Sequence, residues 1–154
     1  MTNIVLDIGQ FNLFFGTKNR MTSSTKKKQS TRRPPEKAGL SKFFVSDGDV
    51  SIDRIAKHFR MTKQDIAETI GVARETVYKN ERARAPKTQA RSFEMLEIIH
   101  RIAGWAGGER QAMAWYRAEP ISAFGGRTAE SLVKDGHAAA VRDYLDHVAT
   151  GGFA

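Results

Sequence analysis

From residue 49 onward, apolar positions recur at helical spacing, punctuated by glycine and proline. Ile52, Ile55, Ala56 and Phe59 fall at i, i+3, i+4 and i+7 behind Ser51, a good N-cap residue. Thr62 opens a second helix. Its hydroxyl is a cap, and Asp65, three residues on, can close a capping box. Ile66, Ala67 and Ile70 make the apolar face, and Gly71 stands where a helix ends in the left-handed conformation. Val72 and Val77 have the spacing of a hydrophobic staple around the start of a third helix, whose outward positions are Arg74, Glu75, Thr76, Lys79 and Asn80. Pro86 disfavours helix at Ala85 and ends this unit.

The stretch from Thr88 to Trp105 reads as one long helix. Phe93, Leu96, Ile99, Ile102, Ala103 and Ala106 line a stripe that Met95 and Ile98 widen, which predicts burial on two sides; Gly104, Gly107 and Gly108 end it. A shorter helix over Glu109–Arg117 carries Ala112, Met113 and Tyr116 on one side, and Pro120 breaks it. Phe124 buries, Gly125-Gly126 makes a loop, and Thr128 caps a brief helix through Leu132 and Val133 that stops at Gly136. A last helix carries Val141, Tyr144, Leu145 and Val148 and ends at Thr150-Gly151-Gly152. The fold class predicted is all-α: a helix-turn-helix bundle followed by a small helical C-terminal domain.

Upstream of residue 49 the pattern is different. Met1–Gly16 has apolar positions but lacks the basic start, continuous apolar run and cleavage site of a signal peptide, and Met21 opens a second candidate start. Thr22–Pro35 is polar and basic, with Lys26-Lys27-Lys28 and Arg32-Arg33; it reads either as an arm that tracks phosphates or as a solvated linker.

Charge changes the picture most. The 154 residues carry a net charge of +8. Residues 1–50 have nine Lys/Arg against four Asp/Glu, residues 51–105 eleven against seven, and residues 106–154 five against six. The basic balance therefore lies with the helix-turn-helix half and points to a nucleic-acid partner, whereas the C-terminal half has some other task. Two helices of an ordinary bundle would show the same apolar pattern, and the charge tips the balance. No cysteine is present, which fits a reducing cytoplasm, and no run approaches the ~18 apolar residues that would span a membrane. His58, His100, His137 and His147 lack metal-ligand spacing, and His58 between Lys57 and Arg60 reads as part of a solvated face. No phosphate-cradling loop or nucleophile motif is found, so no enzyme activity, cofactor or metal is expected.

The order Gln64, Ala67, Gly71, Thr76-Val77 resembles the helix-turn-helix of the Xre/Cro/repressor family, although Ala73 stands where a capping Ser is usual. The C-terminal half resembles the toxin-binding domain of Xre/MbcA/ParS-type antitoxins. The matching residues are Trp115, Pro120, Phe124, Gly125-Gly126-Arg127-Thr128, Leu132, Gly136, Val141 with Leu145, and Gly152-Phe153-Ala154. Ile121, Ala129 and Val133 depart from that pattern, where a polar residue, Pro and Leu are usual. The resemblance divides the chain into an N-terminal extension (1–48), a helix-turn-helix region (49–87), a connecting and dimerising helix (88–108) and a toxin-binding domain (109–154). It implies an antitoxin that binds operator DNA, represses its own operon as a homodimer, and holds a RES-type toxin that consumes NAD, with the antitoxin's C-terminal end at the toxin's active-site entrance. The DNA-binding residues would be Arg74, Glu75, Thr76, Lys79 and Asn80 on the outward face, with Lys79 equally able to touch only a phosphate, Gln64 on a phosphate at the start of its helix, and Arg82 and Arg84 clamping phosphates; toxin would meet Arg127, Gly151, Gly152, Phe153 and Ala154. Arg127 could equally cap carbonyls of its own loop, and Gly125-Gly126 is a backbone requirement more than a contact. Trp105 and Trp115 read as core. The alternative is a stand-alone repressor whose C-terminal half only dimerises; a third reading is an adaptor that uses the helix-turn-helix as scaffold.

Overall fold

A computed structural model describes residues 39–151. The apolar opening, the basic stretch at 22–35, and Gly152, Phe153 and Ala154 lie outside the described residues. Seven α-helices follow in order: α1 (Ile52–Phe59), α2 (Lys63–Ile70), α3 (Asn80–Ala83), α4 (Pro86–Ala106), α5 (Glu109–Ala118), α6 (Ala129–Lys134) and α7 (Ala138–Ala149). The all-α expectation holds, with one small addition. Pro120–Ile121 (β1) pairs antiparallel with Arg127–Thr128 (β2), Pro120 opposite Thr128 and Ile121 opposite Arg127.

The caps form as their residue types require. Ser51 accepts the Arg54 N–H, and Thr62 and Asp65 exchange a complete capping box, with Asp65 N–H to Thr62 Oγ1 at 3.1 Å and Thr62 N–H to Asp65 Oδ2 at 2.9 Å. Gly71 ends α2 at φ 67°, a left-handed conformation that suits a residue without Cβ.

The next helix departs from expectation. Arg74–Thr76 makes a single 3-10 turn, and helical backbone resumes only in the four-residue α3. Neither Ala73 nor Lys79, the residues preceding these two pieces, offers a side-chain cap, and Thr76-Val77 is β-branched. Pro86 does not merely end a unit. It occupies the first turn of α4, where its fixed φ and missing N–H cost nothing. That helix also runs through Gly104 and stops only at Gly107.

The predicted two-sided burial of α4 is observed. Met95, Leu96, Ile98, Ile99 and Ile102 are all buried, and α4 packs along α5 while touching α2, α3, α6 and α7. Their side chains join one cluster that runs from Leu40 and Phe43 to Val141 and Leu145. Ahead of α1, Phe44 and Val50 form an antiparallel bridge. Gln89 of α4 accepts the Val50 N–H at 2.7 Å and donates to the Val50 carbonyl at 3.2 Å, while Arg54 donates to the Phe44 carbonyl at 2.5 Å. Phe124 is half-buried rather than buried, its ring edge-to-face with Tyr144 at 5.7 Å.

Truncating Ile98 to Ala removes packing on the fully enclosed side of α4 and should lower unfolding free energy by about 2–5 kcal/mol. Gly104 is exposed, helical, and has open space where a Cβ would stand. Gly104→Ala should therefore stabilise by about 0.5–1 kcal/mol. Urea unfolding of both variants checks the pair.

Candidate nucleic-acid interface and partner-binding face

The helix-turn-helix segment places a polar set outward. Arg74, Glu75, Lys79, Asn80 and Arg82 are exposed, and Thr76 is half-buried beside buried Val77. Gln64 is exposed in the first turn of α2, where unpaired backbone N–H groups favour an anion. Arg84 is less available than the sequence reading supposed. Its guanidinium lies 3.5 Å from Asp47 and 3.6 Å from Asp49, so part of its charge is spent within the fold.

Two residues of this face were missed. Tyr78 is 58% exposed, the large hydrophobic side chain that stands out among the described residues. Lys63 lies over its ring, Nζ 5.8 Å from the centroid, and also pairs with Asp53 at 2.6 Å. Their neighbouring positions, Gln64 and Lys79, were noticed for charge and polarity; nothing in the spacing marks an exposed aromatic as different from a buried one.

The C-terminal half is built on the β1–β2 hairpin. Between its strands run a 3-10 turn, Ser122–Phe124, and then Gly125 and Gly126 at φ 65° and 81°, so this pair meets a backbone requirement. Arg127 is turned inward along the chain. It donates to Ser131 Oγ at 2.9 Å and the Ser131 carbonyl at 3.2 Å, and pairs with Asp135. Arg127 therefore bonds to the following helix and its C-cap, and not to the carbonyls of its own loop. Thr128 caps α6 by accepting the Ser131 N–H. Gly151 is exposed just beyond α7, apart from Arg127 in the chain, and the remaining expected toxin contacts are outside the described residues.

Trp105 and Trp115, expected in the core, are only half-buried. With Ile102, Ala106, Tyr144, Leu145 and Val148 they line an apolar groove where α4, α5 and α7 meet. No contiguous run of sequence marks this groove, since its walls come from three helices.

The joint between α1 and α5 also escaped the sequence reading. Glu109, the first residue of α5, takes Lys42 Nζ at 2.6 Å and His58 Nε2 at 2.5 Å on one carboxylate oxygen. The His58 ring sits edge-on to Phe43 at 5.1 Å and Phe59 at 4.9 Å, so it belongs to a packed joint and not to a solvated face. Partial burial pushes the Glu109 carboxyl up, but hydrogen bonds from Lys42 and His58, with their charges, hold it below its ordinary value. The Asp65 carboxyl is held low by hydrogen bonds from the Thr62 hydroxyl and backbone. Burial raises the Tyr116 phenol, whose oxygen has no hydrogen-bond partner among the described residues.

Residues 102–151 match the family described as the antitoxin Xre/MbcA/ParS C-terminal toxin-binding domain. Residues 59–78 match the bacterial regulatory proteins of the crp family. No curated protein and no solved structure matches the chain. An antitoxin-type domain thus stands behind a helix-turn-helix, in agreement with the resemblance to Xre-type antitoxins, and the first match encloses the hairpin, Arg127 and the whole apolar groove.

The Glu109 joint has a pH signature. Its folded carboxyl lies below the ordinary value of 4.5, so the unfolded chain takes up the proton first. The stabilisation is complete above that value and is lost as pH falls through the folded one. Thermal melts of wild type and Glu109→Gln between neutral pH and pH ~3 should converge at the acid end. Equal acid sensitivity of the two proteins would remove Glu109 from this role.

Proposed function

We propose that the chain is a cytoplasmic antitoxin that reads operator DNA with one half and neutralises a toxin with the other. The carrying observation is the occurrence in one chain of an antitoxin-type toxin-binding match at 102–151 and a regulator match at 59–78 with outward cations. Arg74 and Lys79 suit guanine N7 and O6, Thr76 a thymine methyl, and Glu75 a cytosine amine or the orientation of Arg74. Gln64 and Arg82 would meet phosphates and Asn80 would stand beside the reading set, with Arg84 contributing after release from Asp47 and Asp49. Two copies would read two half-sites about one DNA turn apart, giving autorepression of the operon.

The toxin proposed is of the RES type, an enzyme that consumes NAD. Gly151-Gly152-Phe153-Ala154 is proposed to reach its active-site entrance: a glycine pair followed by an aromatic residue that could fill an opening. The antitoxin itself would catalyse nothing. Arg127 serves this reading by holding the β2–α6 corner, with a direct toxin contact secondary. A stand-alone repressor whose C-terminal half only dimerises draws support from the apolar groove of α4, α5 and α7, which a second copy could cover.

Two measurements test the reading. Arg74→Ala should weaken binding to a duplex taken from upstream of the gene by ~1–3 kcal/mol and relax preference at one base pair; unchanged affinity in fluorescence anisotropy would remove Arg74 from the reading set. Co-expression with the neighbouring gene product, followed by an assay of NAD loss, tests the other half. The full chain should co-purify and silence the loss, and a chain ending at Thr150 should not. Silencing by both keeps the antitoxin and removes the C-terminal plug; no co-purification favours the plain repressor.

A further inference from the structure

We propose that Arg91 is a positioning residue that makes DNA binding by the helix-turn-helix and partner binding by the C-terminal half interdependent. The inference rests on the two-partner reading above and adds a link between the partners.

Arg91 projects from α4 to two other helix ends. Its Nη1 donates to the carbonyls of Ile70 and Gly71, each at 3.2 Å, and its Nη2 to the carbonyl of Lys134 at 2.6 Å. These are the C-terminal carbonyls of α2 and α6, groups that the helices themselves leave unpaired and that carry partial negative charge. One planar cation therefore fills acceptors on both. The approach is close: a Cβ on Gly71 would stand 2.7 Å from Arg91 Nη1 and 2.8 Å from Lys134 Cγ. The turn glycine of the DNA-reading motif thus abuts the last turn of α6.

Each end is attached to a candidate binding surface. On one side the chain leaves Gly71 through Val72 and Ala73, which has no side-chain cap, into the 3-10 turn Arg74–Thr76, so that turn begins three residues beyond the Gly71 carbonyl. On the other side α6 lies inside the toxin-binding match. It is tied to the hairpin by Arg127, bonded to Ser131 and Asp135, and to α5 by Glu130, which takes Arg117 at 3.4 Å. A displacement of the reading turn moves the Gly71 carbonyl, and the guanidinium carries it to Lys134. The same path runs backwards, as linkage requires of any coupling between two binding equilibria. A lysine cannot replace this geometry, because a single ammonium lacks the spread fork of donors.

Amide hydrogen exchange on the full chain tests the proposal with a duplex from upstream of the gene as the probe. Asp135, Gly136 and His137 donate their N–H groups to Ser131, Val133 and Leu132, so their exchange reports opening at the end of α6. Saturating duplex should slow these amides about fivefold or more in wild type. Arg91→Met and Arg91→Lys should still bind the duplex but leave the three rates unchanged. A merely structural Arg91 would raise the rates in the variants without removing the response, and that result overturns the proposal. So does a wild type whose rates ignore bound DNA, a result that needs no variant to fold. If wild type retains no duplex, the DNA-binding reading falls and takes the coupling with it.

Discussion

The two-sided burial of α4 is the constraint on which the rest of the molecule depends. An amphipathic helix needs one partner; a helix apolar on two sides needs two, and here the helix-turn-helix elements and the C-terminal helices supply them. Met95, Leu96, Ile98, Ile99 and Ile102 each contribute about 1.5–3 kcal/mol of transfer free energy, a gross total near 10 kcal/mol before ordering entropy is subtracted. The ion pairs that decorate the same helix, Arg142 with Glu97 at 2.9 Å and Arg101 with Asp146 at 2.5 Å, are part-exposed and worth about 0–1 kcal/mol each. Apolar contact therefore holds the halves together, and the polar contacts decide how they are set against each other.

What was legible in the sequence was local. Caps act over three residues and apolar stripes over seven, so Ser51, Thr62 with Asp65, Thr128 and the stripe of α4 could be read directly. The recognition segment shows where such reading ends. Val72, Val77 and the outward polar residues were identified, yet the backbone between them makes a 3-10 turn and a four-residue helix instead of one continuous helix. Periodicity reports which side chains face inward; it does not report whether uncapped, β-branched positions can sustain the hydrogen bonds between turns.

The polar geometry was mostly illegible. His58 and Glu109 are 51 residues apart, and Arg91 and Lys134 are 43 apart, with no period linking either pair. Arg84 counted as a cation in the charge balance, while its neighbours Asp47 and Asp49 reach it only through the fold. Trp105 and Trp115 were assigned to the core because large aromatics at helical spacing usually belong there; their half-burial depends on α7 leaving one side of them open.

The short bridge ahead of α1 has a consequence for how the protein behaves in a crowd. Two paired extended residues at a surface expose backbone donors and acceptors on their outer sides, and such rims recruit strands from other chains. Here neither rim is open. The side-chain amide of Gln89 occupies both the N–H and the carbonyl of Val50, and the guanidinium of Arg54 occupies the carbonyl of Phe44. Side chains complete the ribbon that further strands would otherwise extend, so in the folded protein this corner of the bundle offers no open pair of rims to a second chain.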